Sequence, residues 1–122
     1  MVDVEQIRTY CLAKKAVTES FPFDADTLVF KVAGKMFTLF SLEAQPLRIN
    51  LKCAPEIALE LRDQYNGLVL PGYHMNKNHW NTIVVMSPLK PKYLFQWIDD
   101  SYDLVAQSLT KKQRLLLRGD AE

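Results

Sequence analysis

Leu28-Val29-Phe30-Lys31-Val32-Ala33-Gly34-Lys35-Met36-Phe37-Thr38-Leu39-Phe40-Ser41 reads as two strands and a turn. Both runs are rich in β-branched and aromatic residues, which suit a pleated, half-buried surface. Gly34-Lys35 supplies a two-residue turn with Gly first, as a type II′ turn wants. That register pairs Val32 with Phe37 and Phe30 with Leu39 on a face toward the core. Val29, Lys31, Met36, Thr38 and Phe40 then share the opposite face.

A third strand follows at Leu47 to Lys52. Leu47, Ile49 and Leu51 alternate with Arg48, Asn50 and Lys52, so the apolar set points in and the polar set out. Trp80 to Met86 reads as a fourth strand. Helices are expected on either side of these runs. Asp3 is placed to cap a first helix through about Lys15, with Val4, Ile7, Tyr10 and Cys11 at helical spacing. Phe21-Pro22-Phe23-Asp24 breaks any helix there. Ala54-Pro55-Glu56 opens a second helix, with Pro at the first turn where its missing N–H costs little. Its inward residues are Ile57, Ala58 and Leu61, and it fades near Tyr65-Asn66-Gly67. After a Pro88–Pro91 linker, Lys92 to about Leu109 is the longest helix. Leu94, Phe95, Trp97, Ile98, Tyr102 and Val105 form its apolar stripe. A short Lys- and Leu-rich helix begins at Thr110. The order predicts an α+β fold with a mostly antiparallel sheet and helices packed on one face, leaving the other face available.

The 122 residues suit a single domain over 1–122, with a basic C-terminal segment at about 110–122. Cys11 and Cys53 lack CxxC spacing and read as reduced, semi-buried thiols. The N-terminus has no basic and apolar signal pattern, and no apolar run approaches the roughly 18 residues of a membrane helix. A cytoplasmic protein without membrane partners is expected. The net charge of +1 conceals a segregation. Residues 28–52 hold four basic and one acidic residue, and residues 71–92 three basic and none acidic. Residues 93–109 hold three acidic and none basic. Positive charge follows the strands, so a near-neutral chain can present a basic face.

Pro71-Gly72-Tyr73-His74-Met75-Asn76-Lys77-Asn78-His79-Trp80-Asn81-Thr82 concentrates hydrogen-bonding side chains beside aromatic rings, and loops built this way carry function. His74 and His79 are five apart, wrong for one helix face and for alternate strand positions. They read as neutral loop histidines rather than zinc ligands. Trp80 reads as a core residue before a stacking platform. Asn76, Asn78 and Asn81 suit either turns or the reading of base edges, and Lys77 either solvent or phosphate. Asp99, Asp100 and Asp103 read as a solvated helix face, and Lys111, Lys112, Arg114 and Arg118 as a basic terminal helix. GxSxG, Walker A, GxGxxG and HExxH motifs are absent, so neither an enzyme nor a cofactor or metal site is expected.

The Pro71–Thr82 block resembles the signature of the MmcQ/YjbR family of small bacterial proteins. Val4–Leu12, Thr18–Asp24, Leu28–Phe37, Ile49–Cys53 and Ile98–Val105 resemble other family segments, and together they cover the chain to about Leu109. The resemblance implies a CyaY-like fold, shared with frataxins, and a DNA-binding "double wing" label. Frataxin-like iron binding does not carry over, because the first helix is mixed in charge and the sheet basic. The positions carried over are Lys31, Lys35, Lys52, His74, Asn76, Lys77, His79 and Trp80.

The resulting expectation is a DNA-binding module with the hairpin tip and the 72–80 loop as wings. Lys31, Lys35, Arg48, Lys52 and Lys77 supply charge, and His74, Asn76 and Asn81 hydrogen bonds. With so few cations, binding is expected to be modest and salt-dependent. The alternative is a non-enzymatic small-molecule or protein-binding module on the same face, using Met36, Phe40, Tyr73 and Trp80.

Overall fold

A computed structural model describes residues 2–117. Arg118 and the rest of the basic tail expected to run to residue 122 lie outside the described residues. The elements are α1 (Val4–Leu12), β1 (Val17–Ser20), β2 (Thr27–Val32), β3 (Lys35–Ser41), β4 (Arg48–Lys52), α2 (Pro55–Gln64), β5 (Val69–Pro71), β6 (Trp80–Val84), α3 (Pro91–Gln107) and α4 (Lys111–Leu117). The strands form one sheet of order β1-β2-β3-β4-β6-β5 in which every pairing is antiparallel. Helices cover one face, and their apolar stripes meet Phe30, Phe37, Phe40, Ile49, Leu51 and Ile83 in the main core. This is the α+β architecture expected. Among the described residues no helix is long and apolar enough to cross a membrane.

Local chemistry sets the helix ends. Asp3 caps α1 reciprocally with Gln6: the Gln6 N–H donates to Asp3 Oδ1, and the Asp3 N–H to Gln6 Oε1, each at 2.9 Å. α1 stops at Leu12 rather than Lys15. Tyr10 in its last turn and Lys14 just beyond it are held to α3 by Asp99, which accepts from Tyr10 Oη at 2.8 Å and Lys14 Nζ at 2.5 Å. Burial first, and then this carboxylate, push the Tyr10 phenol up to about 12. In α2 the buried residue is Ala58, with Leu61 and Tyr65 completing the inward stripe. Ile57, expected inside, is 46% exposed. The edge strands β1 and β5 had not been anticipated. At four and three residues they are too short for alternation to register, and pairing defines them.

The hairpin departs from its expected register. The turn residues are Ala33 and Gly34, with φ of 47° and 91°, closed by the Val32–Lys35 pair. Two left-handed residues in succession make a type I′ turn rather than II′. The register then shifts between Phe30 and Lys31: Lys31 faces Met36, whereas Phe30 faces Thr38. Phe37 is the extra residue of a β-bulge. It turns toward the helices, and Thr38 and Phe40 follow on that side. Leu39, expected in the main core, packs on the opposite face with Val29.

The bulge and the end of β4 leave ladder groups without strand partners, and Ser101 of α3 fills both. Its hydroxyl donates to the Phe37 carbonyl at 2.6 Å and accepts the Lys52 N–H at 2.8 Å. The residue is fully buried. Ser101→Ala strands a buried donor and acceptor, and should lower unfolding free energy by about 1–3 kcal/mol. Urea denaturation reads this directly; an unchanged midpoint would show that the bridge adds nothing to stability.

Candidate functional site

The sheet face away from the helices has its own small core. Val29, Leu39 and Trp80 are buried there, with Met36 and Met75 packed against them. Alternation along paired strands places Lys31, Arg48, Asn50, Lys52 and Thr82 around this patch. Arg48 pairs across to Val84, Asn50 to Thr82 and Lys52 to Trp80, so the polar row on β4 runs beside a mixed one on β6. Thr82 Oγ1 donates to Asn50 Oδ1 at 2.5 Å. No acidic residue occupies a strand position on this face among the described residues.

The β5–β6 loop folds back over the patch. Its tightest point is Gly72, where a Cβ would lie 2.8 Å from Trp80 Cβ and 2.9 Å from Trp80 O. Only glycine allows that approach. Beyond it the Tyr73 N–H donates to Thr82 Oγ1 at 2.9 Å, and His74 adopts φ 59°. These constraints push the Tyr73 and His74 rings outward as a pair, with centroids 4.0 Å apart. Tyr73 is 69% exposed. Asn76 then closes the loop: its side-chain oxygen accepts the Asn78 N–H, and its carbonyl accepts the N–H groups of His79 and Trp80.

The ten residues singled out in the sequence therefore separate. Lys31, Arg48 and Lys52 lie on the open face, and Trp80 is buried beneath it as a core residue. His74, Asn76, Lys77 and His79 occupy exposed loop positions. The Lys77 ammonium folds back on the Gly72 carbonyl at 3.1 Å, and the His79 carbonyl accepts the Cys53 N–H. Lys35 and Asn81 belong elsewhere. Lys35 Nζ donates to the Ser108 carbonyl at 3.1 Å, where a cation complements the C-terminal end of α3. Asn81 turns under α2, donating to the Ala58 carbonyl and accepting from Arg62 Nε at 2.7 Å.

Arg62 had no sequence signal, because an arginine on a helix reads as a solvated charge. Its guanidinium also donates to the Lys77 and Trp80 carbonyls, clamping the loop from the helix side. Gly72→Ala should cost about 1–3 kcal/mol, since the added methyl meets Trp80 backbone as well as side chain. In a Trp97→Phe background, Trp80 emission should shift to the red as the loop lifts. Unchanged stability and emission would mean that the loop does not depend on this contact.

The YjbR family model matches residues 12–104. The uncharacterised protein YbdF of Escherichia coli O157:H7 is 38% identical over 99 residues, 80% of each chain. The uncharacterised protein YjbR of Escherichia coli K12 is 29% identical over 114 residues, 93% of this chain and 96% of that one. Among solved structures, Deinococcus radiodurans protein DR2400 superposes with a TM-score of 0.89 at 37% identity, covering 96% of this chain and 88% of its own. A Pseudomonas syringae protein superposes with a TM-score of 0.72 at 27% identity, covering 84% and 98%. The matched span runs from the end of α1 into α3 and includes the whole sheet and the Gly72–Trp80 loop: the chain belongs to the YjbR family.

Proposed function

We propose that the open face of the sheet binds nucleic acid through its phosphates, with the Tyr73–His74 pair offering rings to unpaired bases. The observation that carries this reading is the charge at the strand positions of that face. Lys31, Arg48 and Lys52 line a face without acidic strand residues, while Asp99, Asp100 and Asp103 sit on α3 behind the sheet. Such a field attracts a polyanion even at a net charge of +1.

Shape favours a polymer over a compact ligand on this face. Trp80 and the two methionines pack together at its centre, and the cations stand at strand positions around them. A cationic track beside exposed aromatic rings is the arrangement that holds single strands with little sequence preference. The hairpin tip is a poorer wing than its sequence suggests. Lys35 is engaged by α3, and Gln113 of α4 donates to the Ala33 carbonyl. We read the role as binding rather than catalysis. Among the described residues, no carboxylate accepts a hydrogen bond from His74 or His79, so neither histidine has the partner a general base would want.

Fluorescence anisotropy with labelled single- and double-stranded DNA across a salt series tests this. Affinity should fall linearly with salt on logarithmic axes. Each of Lys31→Ala, Arg48→Ala and Lys52→Ala should reduce the slope by about 0.9 on duplex or about 0.7 on single strands. Lys35→Ala should leave the slope unchanged. No binding at low salt would overturn the proposal, as would equal losses from Lys35→Ala and Lys31→Ala.

A further inference from the structure

On the other side of the sheet, α2 and α3 do not close completely over β4 and β6. They leave a cavity of about 320 Å³. Leu51, Ile57, Leu61, Ile83, Trp97 and Leu104 form its walls. The volume lies at the lower end of the range for small-molecule sites, and is too small for a helix or a peptide strand.

The polar groups at this cavity define what it accepts. Asn81 lines it with its amide already committed to Ala58 and Arg62. Lys52 contributes to the lining, but strand alternation directs its side chain to the opposite face beside Trp80, and its N–H is held by Ser101. Asp100 is the acidic group of the lining, and Gln96 is its hydrogen-bond donor at 2.9 Å. Cys53 is a half-buried thiol in the wall. The interior is thus apolar, with a carboxylate at its edge and no cationic side chain turned into it.

We infer that this cavity is a binding site for a small apolar molecule carrying a hydrogen-bond donor and no negative charge. The body of the ligand sits between Trp97 and the Leu51–Ile83 floor, and its donor reaches the Asp100 carboxylate. Anions of the same shape are disfavoured, because Asp100 repels them, their hydration is lost, and the cation nearest the lining, Arg62, is already committed to Asn81 and the Lys77 and Trp80 carbonyls. The site stands apart from the nucleic-acid reading, since of its lining only Lys52 also belongs to the open face, and that side chain turns away from the cavity.

Two probes with one carbon skeleton test the inference on the full chain. N-phenyl-1-naphthylamine is neutral with an N–H donor; 8-anilino-1-naphthalenesulfonate adds a sulfonate. The neutral probe should brighten and saturate at one per chain in the micromolar range. It should bind at least about tenfold more tightly than the sulfonate, a gap of about 1.4 kcal/mol. Asp100→Asn should narrow that gap, and Ile57→Trp, at a half-exposed rim position, should fill the cavity and abolish binding. Bound probe should also slow N-ethylmaleimide labelling of Cys53, read by peptide mass spectrometry. That readout needs no variant, so it holds even if Ile57→Trp fails to fold. Cys11 is the internal control, because burial pushes its thiol up to about 12 and keeps it unreactive. Unsaturable brightening, equal affinity for both probes, or Cys53 labelling unaffected by the probe would each overturn the assignment. None of these readouts uses DNA, so loss of one proposal leaves the other to its own test.

Discussion

The extra residue in β3 determines how both faces of the sheet are built. With Phe37 bulged between the pairs Lys31–Met36 and Phe30–Thr38, Phe37, Thr38 and Phe40 all serve the helix side, and Leu39 is handed to the other. A regular ladder would alternate strictly and exchange those assignments. The bulge also withdraws the Phe37 carbonyl from its strand partner. Ser101 answers that carbonyl and the Lys52 N–H with a single hydroxyl, so α3 is hydrogen-bonded to the sheet as well as packed on it. A buried polar link of this kind has few alternative partners and fixes the position of the helix along the strands.

A sheet covered by helices on one side must resolve its other side differently. Here Val29, Leu39 and Trp80 would form an exposed apolar patch, and the β5–β6 loop covers it with Met75. That cover needs a glycine at residue 72, where backbone passes against Trp80, and a guanidinium from α2 to hold the loop's carbonyls. The loop is therefore fixed from both sides of the sheet, by Thr82 on the open face and Arg62 from the helix layer. The Tyr73 and His74 rings are displaced outward by the same packing. Exposure at this position is a result of geometry rather than of sequence polarity.

Charge follows the same division. The acidic side chains of α3 lie behind the sheet, where Asp99 serves Tyr10 and Lys14, while the open face keeps basic residues at alternate positions of β4 and at Lys31. The layer between them is apolar and a single sheet thick. The two sides of a nearly neutral molecule thus differ in field: cationic at the strand positions of the open face, apolar with an acidic edge in the cavity between α2 and α3.

The sequence by itself determined the order of the four helices and of four of the six strands, the α+β class, the strict alternation of β4 and the apolar stripe of α3. Each of these depends on local periodicity, or on a cap such as Asp3 with Gln6. It also marked the Pro71–Thr82 block as the distinctive loop and placed Lys31, Arg48 and Lys52 on an outward face. Tertiary structure decided the remainder. The bulge at Phe37 arises from matching β3 to its neighbours on both sides, which no single strand encodes. β1 and β5 exist only through their pairing partners. Lys35 and Asn81 left the candidate surface because a helix end and a guanidinium, both distant in sequence, satisfy them. Arg62 and the cavity beneath α2 were invisible for the same reason: they are products of elements meeting, and periodicity describes one element at a time.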